Sequence, residues 1–121
     1  MAEGYLIDTS AVIKYLNETL PVNGLSFIDK VVEIELQSWN PSDPNDLKNY
    51  QLFVSGSKVI GINKSIIDET IRIRKYFKLK LPDAVIAATA IVNDMTLISD
   101  NDKDFKKVPE LKYINPSNVI S

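Results

Sequence analysis

Tyr5-Leu6-Ile7-Asp8-Thr9-Ser10-Ala11-Val12-Ile13-Lys14-Tyr15-Leu16 is the stretch on which the fold turns. Its first three residues are an apolar run that suits a short strand, and Asp8 ends it. Thr9 or Ser10 then caps a helix through Tyr15 and Leu16. Strand, turn and helix in that order open an α/β unit, and the rest of the chain repeats the alternation. Pro21, Asn23 and Gly24 break the chain. Ser26, with a carboxylate three positions on at Asp29, is an imperfect capping box that predicts a helix to about Trp39. A loop from Asn40 to Asn45 precedes a short helix around Asp46 to Val54. After a turn at Ser55 to Ser57, Lys58 to Ile62 reads as a second strand. Asn63 or Ser65 caps a helix carrying Ile66, Ile67, Thr70, Ile71 and Ile73. Pro82 suits the first position of an Ala-rich helix from Asp83 to about Val92. Met95 to Ile98 is a third strand and Lys112 to Ile114 a fourth. The expected fold is therefore α/β, with a mainly parallel central sheet flanked by helices.

The chain of 121 residues has the size of one domain, expected to span 1–121. Its 45% hydrophobic and 25% charged residues are those of an ordinary globular protein. No apolar run approaches the roughly 18 residues that a membrane-spanning helix needs, and no secretion signal opens the chain, so a cytoplasmic protein is expected. There is no cysteine, which fits a reducing compartment. There is no histidine either, and that narrows the chemistry further. The commonest general base, the usual zinc ligand and the serine triad are all excluded. Reactions must run on carboxylates, lysines, hydroxyls or a bound metal.

A net charge of −2 argues against nucleic-acid binding by bulk positive charge. Committing four of the 16 acids to a metal, however, leaves 12 against 14 cations. Arg72, Arg74, Lys75, Lys78 and Lys80 lie close together, either as a solvated helix face or as a contact for a polyanion.

The acids sit where a parallel sheet gathers its ligands, outside the carboxyl ends of the strands. Asp8 follows the first strand, and the acidic loop Asp100 to Asp104 follows the third predicted one. Asp8 alone also reads as a simple helix cap. With about 100° per residue and Phe27 at zero, Val31, Ile28, Trp39 and Val32 fall between about 40° and 140°, and Glu35 near 80°. Glu35 thus lies in the middle of the apolar stripe, whereas Glu33, near 240°, faces solvent. A buried ionised carboxylate calls for a cation or metal, the alternative being a snorkelling or salt-bridged residue at the stripe's edge. Asp83 shares a helix face with Ile86, Ala87 and Ala90. Helix-dipole preference in the first turn explains it alone, but the small residues around it allow close packing beside another acid-bearing element.

Four strings in order resemble the PIN-domain family, and within it the VapC toxin type. They are Leu6 to Ala11 (LIDTSA), Val31 to Leu36 (VVEIEL), Leu81 to Ala90 (LPDAVIAATA) and Leu97 to Phe105 (LISDNDKDF), with Ile114-Asn115-Pro116 closing the match. The resemblance implies a ribonuclease that uses Mg²⁺ or Mn²⁺, is held inactive by a cognate antitoxin protein, and forms a homodimer. It places the catalytic and metal-binding acids at Asp8, Glu35 and Asp83. Many members carry the last acid two residues after a Thr or Ser, where this chain has Asn101 after Ser99. Asp104, before Phe105, is the preferred fourth acid, with Asn101 as a further metal ligand and Thr9 and Ser99 in support. Arg72, Arg74 and Lys75, with Tyr76 and Trp39, are the candidates for contacting RNA. Carboxylate oxygens select Mg²⁺ or Mn²⁺, and cleavage by water leaves a 5′ phosphate and a 3′ hydroxyl.

Two other carboxylate-based classes fit poorly. A phosphorelay receiver needs an Asp after a middle strand, where Asn63 stands, and a Lys after a late one, where Ser99 or Asn115 stands. A haloacid-dehalogenase-like phosphatase needs a second Asp where Ser10 stands. A PIN-like module that binds RNA or protein without cutting is the remaining alternative.

Overall fold

The computed structural model describes residues 4–15 and 26–118. Its centre is a five-stranded sheet in the order β3-β2-β1-β4-β5, every pair parallel. The strands are β1 Tyr5–Ile7, β2 Ser26–Asp29, β3 Lys58–Ile60, β4 Thr96–Ile98 and β5 Tyr113–Ile114. Helices α1 Thr9–Tyr15, α2 Lys30–Ser38, α3 Pro44–Gly56, α4 Lys64–Phe77, α5 Leu81–Val92 and α6 Asp102–Phe105 connect them, and a 3₁₀ turn covers Pro116–Asn118. Leu6, Ile7, Ile28, Leu97 and Ile98 bury the sheet completely. Against it lie Val32 and Leu36 of α2, Ile66 and Ile73 of α4, and the run Ala84 to Ala90 of α5.

β1 pairs with β2 on one side (Leu6 with Phe27) and with β4 on the other (Leu6 with Leu97). The chain first winds outward to β3, then crosses back over β1 to β4 and β5. The strand order therefore reverses beside β1, and at such a switch point the loops leaving adjacent strands part to leave a crevice.

Ser26 to Asp29 is not the start of a helix but a strand, so the sheet has five strands where four were expected. Phe27 and Ile28 lie between β1 and β3, and this pairing outweighs a local capping signal. The cap belongs instead to Asp29, whose Oδ1 accepts the Val32 N–H at 2.8 Å. Glu35 consequently does not lie in a buried stripe. Phe27 and Ile28 are strand residues, Trp39 is the extended residue ending α2, and Glu35 itself is exposed.

Smaller shifts follow from caps. Asp8, not Thr9 or Ser10, takes the position before α1, its carbonyl accepting the Val12 N–H at 3.1 Å. Asp43 caps α3, which begins at Pro44 and runs to Gly56. Asn63 caps α4 through the Ile66 N–H. α5 begins at Leu81, one residue before Pro82. β3 stops at Ile60, two residues short of the expected end, and α6 had no counterpart in the sequence reading. The expected break at Pro21 to Gly24, and Leu16, lie outside the described residues.

Candidate active site

Asp8 leaves β1 at the switch point, its N–H donating to the Ile98 carbonyl at 3.0 Å. The side chain is then fixed from three directions. Oδ1 accepts the Thr9 N–H at 2.9 Å, while Oδ2 accepts the Ser99 hydroxyl at 2.8 Å and that of Ser10 at 3.2 Å. Ser99, the first residue after β4, is completely buried. Burial, and after it the charge of Asp83, push the Asp8 carboxyl up to about 6, although these hydrogen bonds favour the ionised form.

Around Asp8 opens a cleft of about 540 Å³ lined by Thr9, Ser10, Ile13, Glu35, Asp83, Asp100 and Asn101. α2 brings Glu35 to it, and the Thr9 hydroxyl donates to Glu35 Oε1 at 2.5 Å. The first turn of α5 brings Asp83, half-buried. Its carboxyl is raised by burial first and then by the charges of Asp104 and Glu35, against a smaller opposing effect of Lys80. Carboxylates from β1, α2 and α5 are thus brought to one place from positions far apart in the chain.

Asp104, the preferred fourth acid, stands at the edge instead. It accepts Asn101 Nδ2 at 3.1 Å and pairs with Lys107 at 3.5 Å, and the Asn101 bond above all holds its carboxyl below the ordinary range. Asn101 lines the cleft and caps α6 through the Asp104 N–H at 3.3 Å. An acid not singled out from the sequence is Asp100, which lines the cleft, shares the single Ser10 hydroxyl donor with Asp8 (Oγ to Asp100 Oδ1 3.0 Å) and pairs with Lys14 Nζ at 3.4 Å. A signal for it existed, since Asp100 follows β4 closely just as Asp8 follows β1.

Among the described residues no three carboxylates converge closely enough to share one ion directly. The donor set still fits Mg²⁺ or Mn²⁺. Mg²⁺ keeps several waters and uses only one or two carboxylates directly, and the acids here are all hard oxygen donors whose charges burden one another.

The cationic candidates divide. Arg72 is tied to Glu69 at 2.6 Å and to Glu110, and these partners keep its guanidinium protonated. Arg74, Lys75 and Lys78 instead line an open cavity of about 460 Å³ floored by Ile71 and Leu79. Tyr76 is exposed, while Trp39 packs on Tyr50 with ring centroids 4.7 Å apart. An apolar groove of about 500 Å³, which shares Ile71 and Arg74 with that open cavity, runs along α2, α4 and α5, lined among others by Val31, Ile62, Ile67, Leu81 and Val85. No helix among the described residues is long and apolar enough to cross a membrane.

The sequence matches the PIN domain family over residues 5–111. No curated protein matches it. Among solved structures, it is similar to a toxin–antitoxin complex from Klebsiella pneumoniae, with 26% identity over 93% of this chain and 97% of that one, at a TM-score of 0.78. It is also similar to VapBC2 from Rickettsia felis bound to a DNA fragment from its promoter, with 25% identity over 93% and 98% of the two chains, at a TM-score of 0.75. VapBC-1 from nontypeable Haemophilus influenzae, at 18% identity, shares the fold over 94% and 98% of the chains with a TM-score of 0.74. A family match running from Tyr5 through Leu111, on a five-stranded parallel sheet with its acids gathered at the switch point, means that the chain belongs to the PIN domain family.

Proposed function

We propose that this chain is an Mg²⁺- or Mn²⁺-dependent endoribonuclease acting in the cytoplasm as the toxin of a toxin–antitoxin pair, in a single PIN unit. The observation that carries the reading is the cleft where Asp8, Glu35 and Asp83 meet, with Asp8 raised by burial and then by the charge of Asp83, and Asp83 by burial and then by the charges of Asp104 and Glu35. These three would hold the ion, one or two of them directly and the rest through its waters, with Asp104 or Asn101 as the fourth ligand. When bound there, such an ion would offset charge developing on the phosphoryl oxygens and would ease deprotonation of an attacking water. The chain's own groups supply orientation. Ser99, Ser10 and the Thr9 N–H fix the Asp8 carboxylate, and the Thr9 hydroxyl holds Glu35 over the cleft. Hydrolysis leaves a 5′ phosphate and a 3′ hydroxyl. Arg74 and Lys75, with Lys78, suit RNA phosphates, whereas Arg72 is committed to Glu69 and Glu110.

The antitoxin's seat is the apolar groove. α2 carries Val31 in the groove and Glu35 in the cleft, one turn apart, and α5 carries Leu81 and Val85 on either side of Asp83. An apolar segment ending in a cation spans both and blocks the acids. Two copies of the chain then form the homodimer that the family resemblance implies.

The test is cleavage of single-stranded RNA by the purified chain with Mn²⁺ or Mg²⁺ and with chelator. Cleavage should need the ion and vanish in Asp8→Ala and Asp83→Ala, both still folded by circular dichroism. Turnover in either variant would sink the site, and metal-independent RNA binding without cleavage would point to a non-catalytic module. Co-expression with the protein encoded beside it should suppress cleavage; no effect would favour a stand-alone nuclease.

A further inference from the structure

We propose that Asn115 is a positioning residue for this site, fixing the loop Ser99 to Asp102 so that Asp100 and Asn101 face the cleft. The proposal rests on the reading of the cleft given above. Asn115 follows β5 directly and is buried. Its Nδ2 donates to Asp102 Oδ2 at 3.1 Å and to the Asp100 carbonyl at 3.5 Å. Its Oδ1 accepts the Ser117 N–H at 3.0 Å and the Ser117 hydroxyl at 2.7 Å. A primary amide has two N–H donors and two acceptor lone pairs, so every position is filled. Aspartate keeps the Ser117 bonds but has no donor for the loop, and glutamine carries the amide one carbon too far.

The loop side of this contact leads straight to the catalytic acid. The Asp100 carbonyl and the Asn101 N–H belong to one peptide unit. Asn115 holds that unit by its oxygen, and its N–H donates to Ser99 Oγ at 3.1 Å. The Ser99 hydroxyl in turn donates to Asp8 Oδ2 at 2.8 Å. One peptide clamped from both sides thus links the end of β5 to the carboxylate after β1, and bonds in such a chain polarise one another. The β4–β5 ladder ends with the Ser99 N–H on the Ile114 carbonyl, so Asn115 holds the sheet's edge to the loop beyond the last ladder bond.

The decisive experiment compares Asn115→Asp with the exchanged pair Asn115→Asp/Asp102→Asn, which restores a donor and an acceptor in the opposite direction. In metal-free full-length protein, Asn115→Asp should speed hydrogen exchange of the Asn101 and Asp104 amides about tenfold, the loss of roughly one hydrogen bond's protection. The exchanged pair should recover part of it. Mn²⁺ affinity, read by titration, should fall about tenfold in the single variant and partly return in the pair. Val54→Ala, a core change far from the loop, should lower the melting temperature without moving either readout. Unchanged loop exchange in Asn115→Asp, or a pair no better than the single variant, would overturn the proposal. So would faster loop exchange with unaltered Mn²⁺ affinity. A wild-type protein that neither binds Mn²⁺ nor cuts RNA would instead remove the nuclease reading, and loop exchange would still decide what Asn115 holds.

Discussion

Glu33 and Glu35 are identical side chains on one short helix, and their neighbours differ. Glu33 is part-buried and accepts Lys30 Nζ at 3.4 Å, whereas Glu35 receives the Thr9 hydroxyl and lines the cleft. Replacing each with glutamine keeps volume and removes charge. Glu35→Gln should lower cleavage by more than the roughly 10–100-fold that loss of an outer-shell partner costs, with little change in melting temperature. Glu33→Gln should stay within about ±0.5 kcal/mol of wild type in stability and cut RNA normally. The reverse outcome, an inactive Glu33→Gln beside an active Glu35→Gln, would move the site to the other face of α2. That Glu35 lies at one cleft with Asp8 and Asp83 was legible in the sequence, but its surroundings were not. A helical count begun in a strand gave it a buried stripe it does not have. Arg72 shows the same limit, since Glu69 three residues earlier was visible as a partner while Glu110 meets it only in the fold.

At the scale of elements, β2 and α2 meet at Asp29, a fully buried carboxylate whose Oδ2 has no hydrogen-bond partner among the described residues. Burial, with some help from the charge of Glu35, pushes its carboxyl up to about 6 despite the Val32 N–H. A folded value above the ordinary 3.8 means that the folded state holds the proton more tightly. The stability this contributes is complete below pH about 4 and lost as pH rises through about 6. An asparagine in its place would cap α2 equally well without titrating. The stability difference between wild type and Asp29→Asn should therefore shift by about 3 kcal/mol across that window, in favour of the variant at high pH. Urea unfolding at pH 4 and pH 7 measures it, and parallel pH profiles would refute it. Elements with strong local signals were legible: β1 with its Asp, the Asn63-capped α4, and the Pro-started α5. β2 was not, because a four-residue strand is decided by what pairs on either side, and Ser26 and Asp29 offered a helix cap at the same place. α6 was hidden for a similar reason, since its acids read as a loop.

For the whole molecule, carboxylates crowded at one sheet edge cost stability that a bound cation would return. Mn²⁺ or Mg²⁺ at about 100 times its dissociation constant should stabilise the fold by about 2.7 kcal/mol, several degrees in melting temperature, and Asp83→Ala should remove most of that shift. A wild-type melting temperature unmoved by millimolar metal would count against the carboxylate site. The strand order has a further consequence, in the timing of synthesis. β1 is made first, yet one of its two neighbours, β4, comes far later in the chain, and Ser99, 91 residues after Asp8, is needed to hold that carboxylate. A growing chain still attached to the ribosome presents Asp8 without Ser99, and Glu35 without Asp83. The cleft proposed to cut RNA is assembled only when the last third of the chain emerges, so the ribosome making this protein is finished with most of it before that site is complete.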